Sequence, residues 1–91
     1  MKKWKCSGKN RWELCLLDVP VCVLRYAGEY GYTCQASVDG AILDKTFGHC
    51  SYGEAVTDTE IWYTGVLARS IRMHNECVEN CVKQLRELKV V

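Results

Sequence analysis

The chain has 91 residues, 48% of them hydrophobic and 25% charged, with a net charge of +1, seven cysteines and a single proline. A chain of that size supports one modest core, burying about 60–65% of its unfolded surface, which excludes a two-domain enzyme and a deep pocket. The lysine-rich start lacks the apolar run of about 7–15 residues that a signal peptide needs, and no segment reaches the roughly 18 apolar residues of a membrane span, so a cytoplasmic protein with no membrane partner is expected.

Charge is unevenly distributed along the chain. Residues 1–11 carry Lys2, Lys3, Lys5, Lys9 and Arg11 with no acid, a charge of +5. They read as a basic N-terminal arm, and residues 12–91 read as a single α+β domain. Within that domain, residues 12–66 hold eight acids against Arg25 and Lys45, which gives −6, and residues 67–91 come to +2.

Residues 12–48 read as sheet. The run from Trp12 to Tyr26 contains Pro20, which cannot donate to a ladder, and one interrupted edge strand is expected there in preference to two strands turning near Asp18-Val19-Pro20. A turn at Ala27-Gly28-Glu29 sets Tyr26 beside Tyr30, Leu24 beside Tyr32 and Cys22 beside Cys34. Asp39-Gly40 between apolar runs is the strongest hairpin signal in the chain. Pairing outward from it sets Val38 opposite Ala41, Ala36 opposite Leu43, Cys34 opposite Lys45 and Tyr32 opposite Phe47. One face is then apolar, and Thr33, Gln35, Ser37, Asp44 and Thr46 fall on the other.

After Phe47 the apolar period changes from 2 to about 3.6. Ser51 with Glu54 and Thr57 with Glu60 are competing capping boxes, and Ser51 is preferred, with a bend near Gly65. Helix is expected over about 51–88. The predicted fold is therefore an antiparallel three- to four-stranded β-meander followed by one long C-terminal α-helix, in the order β-β-β-α. Counted from Thr57 alone, such a helix is about 45 Å long against about 23 Å for a seven-residue strand, so it overhangs its sheet. Along the overhang Leu67, Ile71, His74, Val78, Cys81, Leu85 and Leu88 follow a 4-3 spacing, a heptad seam that predicts a homodimer.

The odd cysteine count and the strand-like flanks of Cys15, Cys22 and Cys34 favour reduced thiols packing as small hydrophobes. His74, Cys77 and Cys81 stand at i, i+3 and i+7 on one helical face and are weak metal candidates; the favoured reading makes them seam and packing residues, with no cofactor. Cys50 beside His49 lacks a third group to orient a base, and no glycine-rich phosphate cradle exists, so no enzyme is expected.

Two binding modes remain. Lys2, Lys3, Trp4, Lys5, Lys9, Arg11 and Trp12 interleave cations with indoles, a composition suited to phosphate contact and base stacking. Tyr32 to Gly40, then Lys45-Thr46-Phe47-Gly48 and Ser51 to Ala55, resemble the second half of a double-stranded-RNA-binding domain, and equally the three-stranded DNA-binding modules of integrase arms, over about residues 20–68. The first resemblance implies basic residues where Tyr52, Gly53 and Glu54 stand; the second implies basic and aromatic residues on a sheet face that instead carries Thr33, Gln35, Ser37, Asp44 and Thr46. Protein binding is the better supported mode: Val21, Val23 and Ile42 form an apolar patch on the open sheet face, and Asp44, Asp58 and Glu60 offer acidic contacts. The expected function is a small non-enzymatic homodimeric protein-binding protein. In format it is similar to the inhibitors and adaptors of phages and mobile elements that act on host defence or nucleic-acid-handling complexes. The alternative is a nucleic-acid-binding accessory protein that uses the arm.

Overall fold

A computed structural model describes residues 2–38, 41–73 and 78–89. Five strands, β1 (Lys3–Gly8), β2 (Arg11–Leu16), β3 (Val19–Tyr26), β4 (Tyr32–Val38) and β5 (Ala41–Gly48), form one antiparallel sheet in sequential order. Two helices follow, α1 (Tyr52–Met73) and α2 (Val78–Lys89). The architecture is α+β as expected, but the three- to four-stranded meander with one helix is corrected to five strands with two helices.

The first extra strand comes from the basic N-terminal segment. Lys3-Trp4-Lys5-Cys6 alternates cation with apolar residue, the period of a half-buried strand. Its indole lies over the core side of the sheet: Trp4 pairs with Leu14, and Trp4 Nε1 donates to Glu60 Oε2 of α1 at 2.8 Å. Lys2 Nζ adds a 2.6 Å ion pair with the other oxygen of Glu60. The second extra strand arises because the chain from Trp12 to Tyr26 is two strands and not one interrupted strand. Leu17 and Asp18 both take positive φ, 55° and 61°, which is the type I′ geometry of a two-residue hairpin turn. Pro20 then sits opposite Cys15 beside a register shift, where the missing N–H is tolerated.

The β4–β5 pairing follows the expected register, with Val38 opposite Ala41, Ala36 opposite Leu43 and Cys34 opposite Lys45. Asp39 and Gly40 lie outside the described residues. A bulge at Phe47 moves Gly48 opposite Tyr32. Between β3 and β4 the register is two residues from expectation: Tyr26 meets Tyr32, Leu24 meets Cys34 and Cys22 meets Ala36. The loop contains a 3-10 turn, Gly28–Tyr30, and so is longer than a tight turn; an even shift keeps every side chain on its intended face. Gly31, with φ 74°, ends that loop where an added Cβ would lie 2.1 Å from the Gly48 carbonyl oxygen.

α1 begins where the Ser51 capping box places it: Glu54 N–H donates to Ser51 Oγ at 3.1 Å, and Ser51 N–H to Glu54 Oε1 at 3.3 Å. The single long helix is overturned by one contact. Tyr63 Oη donates to Gln84 Oε1 at 2.6 Å, whereas a continuous helix would hold residues 63 and 84 about 31 Å apart. α2 therefore returns along α1, and the Leu17 N–H in the β2–β3 turn donates to Glu87 Oε1 of α2 at 2.9 Å.

The core lies between one sheet face and the helices. Leu14, Leu16, Cys22, Leu24, Tyr32, Cys34 and Ala36 supply the sheet side; Ala55, Tyr63, Leu67, Cys81 and Leu88 supply the helices. Burying side chains of this kind contributes about 1.5–3 kcal/mol for each large aliphatic group. Four residues of the 4-3 stripe contribute to the chain's own core: Leu67, Cys81 and Leu88 are buried within it and Leu85 packs against them. His74 lies outside the described residues, and only the backbone is described at Ile71 and Val78. No helix among the described residues is long and apolar enough to cross a membrane.

Candidate protein-docking face

The helices cover one face of the sheet and leave the other open. Period-2 alternation selects its residues: with Leu14, Cys22, Leu24, Cys34 and Ala36 turned inward, their strand neighbours turn outward. A row formed by Lys5, Glu13, Val23, Gln35 and Asp44 crosses all five strands, each residue directly paired with the next. Beside it run Arg11, Arg25, Thr33 and Thr46, also paired in sequence across β2 to β5. Ser37 and Ile42 form the corresponding pair on the other side of the row.

Three of the residues expected to bind a partner meet here. Val21, Val23 and Ile42 line a shallow open depression with Pro20, Gln35 and Ser37, and Ile42 is 65% exposed. Asp44 borders it and accepts a 3.2 Å hydrogen bond from Gln35 Nε2, which holds the carboxylate at the edge of the apolar area. Asp58 and Glu60 belong to α1, across the sheet from this depression. Asp58 is exposed there, whereas Glu60 is engaged by Lys2 and Trp4.

The residues of the basic segment divide between the two faces. Trp4 and Trp12 lie on the helical side, where Trp12 packs against Tyr52 and Tyr32 with ring centroids 4.8 and 6.1 Å away. Neither indole covers the open face. Lys3, Lys5 and Arg11 alternate with them and fall on the open face, joined by Arg25, whose strand partner is Arg11. Arg11 Nη1 donates to Ser7 Oγ at 3.2 Å. Lys9 stands exposed in the β1–β2 turn. The face is thus graded: four cations and Glu13 over β1 to β3, an apolar centre, and Asp44 at the far edge.

Sequence reasoning overlooked Arg25, Glu13 and Pro20 as members of this surface. The signal was present in the alternation Lys3-Trp4-Lys5-Cys6, which turns the segment into a strand and aligns its lysines with Arg25.

Among the described residues no three His, Cys, Asp or Glu side chains converge in a metal-holding arrangement. Of the weak metal candidates, His74 and Cys77 lie outside the described residues, and Cys81 is buried in the core. His49 Nε2 lies 3.1 Å from the Glu29 carbonyl oxygen, joining the end of β5 to the 3-10 turn. The Cys50 thiol beside it is pushed up from its ordinary pKa, by burial first and then by the carboxylates of Glu54 and Asp58, which disfavours the nucleophilic thiolate. The Cys22 thiol is likewise pushed up, through its hydrogen bond with Cys34 and through burial.

Comparison with known protein families, with curated proteins and with solved structures finds no match.

Proposed function

We propose that the chain is a small non-enzymatic binding protein of the inhibitor or adaptor type. On this reading the open sheet face seats a protein segment that carries apolar side chains next to carboxylates. The observation that carries it is the uncovered depression of Val21, Val23 and Ile42, flanked on the β1–β3 side by Lys3, Lys5, Arg11 and Arg25. An exposed apolar area rimmed by polar residues is the usual form of a protein interaction site. Cations beside it select an acidic partner, mainly through the rate of encounter.

A second reading, nucleic-acid binding, draws on the same four cations. It has less support, because Trp4 and Trp12 face the helices, where they cannot stack on bases, and because Glu13 stands among the cations.

Affinity capture with the full chain, beside Val23→Glu/Ile42→Glu, Lys3→Glu/Lys5→Glu and Asp58→Lys, tests the reading. The proposal expects a protein captured by wild type and by Asp58→Lys, lost with the apolar double variant and captured more slowly by the lysine double variant. Capture unaffected by either open-face variant refutes it. Binding only to nucleic acid, with a salt dependence that flattens in Lys3→Glu/Lys5→Glu, transfers the function to the second reading.

A further inference from the structure

We propose that Arg11 and Arg25 form a receptor for one dianionic oxyanion, the phosphate group of a phosphate monoester. The two arginines are direct partners across β2 and β3 on the open face. One step along the same ladder Tyr26 N–H donates to Asn10 O at 3.0 Å, which makes residues 10 and 26 a hydrogen-bonded pair and Arg11 and Arg25 a non-hydrogen-bonded one. Partners of that second kind hold their side chains closest, with Cβ atoms about 4.5–5.5 Å apart, so the two guanidinium groups stand on the sheet at its tightest cross-strand spacing.

Like charges placed directly opposite each other destabilise a sheet. Arginine does not lose its proton in a folded protein, so the repulsion cannot be relieved by titration. The chain supplies little relief of its own. Glu13, two residues from Arg11 on the same face, stands directly opposite Lys5, and among the described residues no ion pair joins any acid to either arginine. Arg11 Nη1 donates one hydrogen bond, to Ser7 Oγ, and Arg25 is exposed. Beyond Arg25 the row continues through Thr33 and Thr46. Hydroxyl groups therefore flank the guanidiniums on both sides, and the row contains no carboxylate.

Charge decides among the anions that could enter. A carboxylate or a phosphodiester brings one negative charge to two positive ones, whereas a phosphate monoester carries about −1.5 to −2 at pH 7 with three acceptor oxygens for both guanidiniums to share. A phosphorylated side chain of a docked protein and a free phosphorylated small molecule present this same group. Val23, two residues from Arg25 on the same face of β3, places the pair beside the apolar depression. The site itself does not depend on the docking reading.

Thermal unfolding of the full chain at about pH 7.5, with inorganic phosphate as the probe and ionic strength held by sodium chloride, tests the pair. The wild-type midpoint is expected to rise saturably, with a half-effect on the order of 1 mM. Arg11→Gln and Arg25→Gln should each need at least about tenfold more phosphate. Without phosphate each should unfold no lower than wild type, because one of two facing like charges is gone. Lys45→Gln removes the same charge from the helical face of β5 and should bind within about twofold of wild type. The general stabilising action of phosphate on folded proteins is common to all four chains and cancels in the comparison. Phenyl phosphate should act like inorganic phosphate, and dimethyl phosphate, a monoanionic diester, should bind at least about tenfold more weakly. A phosphoserine peptide with apolar neighbours that binds about tenfold or more tightly than free phosphoserine upholds the site and assigns its ligand to a protein; equal binding upholds it and assigns a small molecule. Four results overturn the proposal: no shift of wild type at about 30 mM phosphate, an equal shift in the arginine variants, arginine variants that unfold well below wild type without phosphate, or a diester that binds as well as the monoester.

Discussion

Replacing Gly31 with alanine should destabilise the protein more than any other glycine substitution in the described residues. Gly31 takes φ 74° and ψ −140°, near a region that essentially only glycine occupies, which costs about 1–3 kcal/mol for another residue. The added Cβ would also lie 2.1 Å from Gly48 O and 2.7 Å from His49 N, all backbone, so the base of β4 must move by more than about 1 Å. That movement strains the 2.8 Å hydrogen bond from Ala27 N–H to Gly31 O and the pairing of Tyr32 with Gly48. Together these give about 3–5 kcal/mol, a large part of the roughly 5–14 kcal/mol that holds a domain of this length. The melting temperature should fall by about 15–30 °C, read by circular dichroism, with urea denaturation supplying the free energy. Two controls separate the causes. Gly48 shares the positive φ, 75°, but an added Cβ meets nothing within 4 Å, so Gly48→Ala should lose only about 1–2 kcal/mol. Gly65 lies within α1 in open space, and Gly65→Ala should stabilise by about 0.5–1 kcal/mol. A Gly31→Ala protein no less stable than Gly48→Ala would refute the steric argument.

Leu17 holds φ 55° in a type I′ turn that favours asparagine or glycine, so Leu17→Asn should stabilise by about 0.5–1 kcal/mol in urea denaturation; an unchanged or lower midpoint contradicts the assigned turn. Thiol titration should separate three groups among the described cysteines. Exposed Cys6 reacts first, Cys50 more slowly because its thiolate is disfavoured, and buried Cys15, Cys22, Cys34 and Cys81 react at the rate of unfolding. Fast modification of Cys22 or Cys34 in the native protein would contradict the packing of the sheet against the helices.

The parts of the fold legible in the sequence are those set by local chemistry. The β4–β5 register follows from alternation on either side of one turn signal, and the start of α1 follows from a hydroxyl and a carboxylate three residues apart. The N-terminal strand was hidden by counting charge without parity: a sum of +5 describes an arm, while the same lysines taken every second residue describe one face of a strand. The β2–β3 turn carries no glycine or asparagine, because Leu17 and Asp18 accept positive φ within a hairpin anchored on Glu87. The return of α2 was illegible for another reason. A 4-3 stripe has the same appearance whether it faces a second chain or, divided between two helices, faces its own core. The candidate site was half legible: Val21, Val23, Ile42 and Asp44 were identified as its apolar and acidic part, but its cationic side required knowing that β1 and β3 share a sheet.

Each strand of the meander hydrogen-bonds to the strand that precedes it in the chain, so the sheet assembles by successive short loop closures of the kind that fold quickly. The contacts that span most of the chain come from the helices: Glu60 reaches back 58 residues to Lys2, and Glu87 reaches back 70 to Leu17. On a ribosome, the strands emerge before the helices that cover them. During that interval Leu14, Leu24, Cys22 and Cys34 face the surrounding solution. Vulnerability to aggregation and to thiol oxidation is therefore concentrated in the nascent chain and ends when the helices dock.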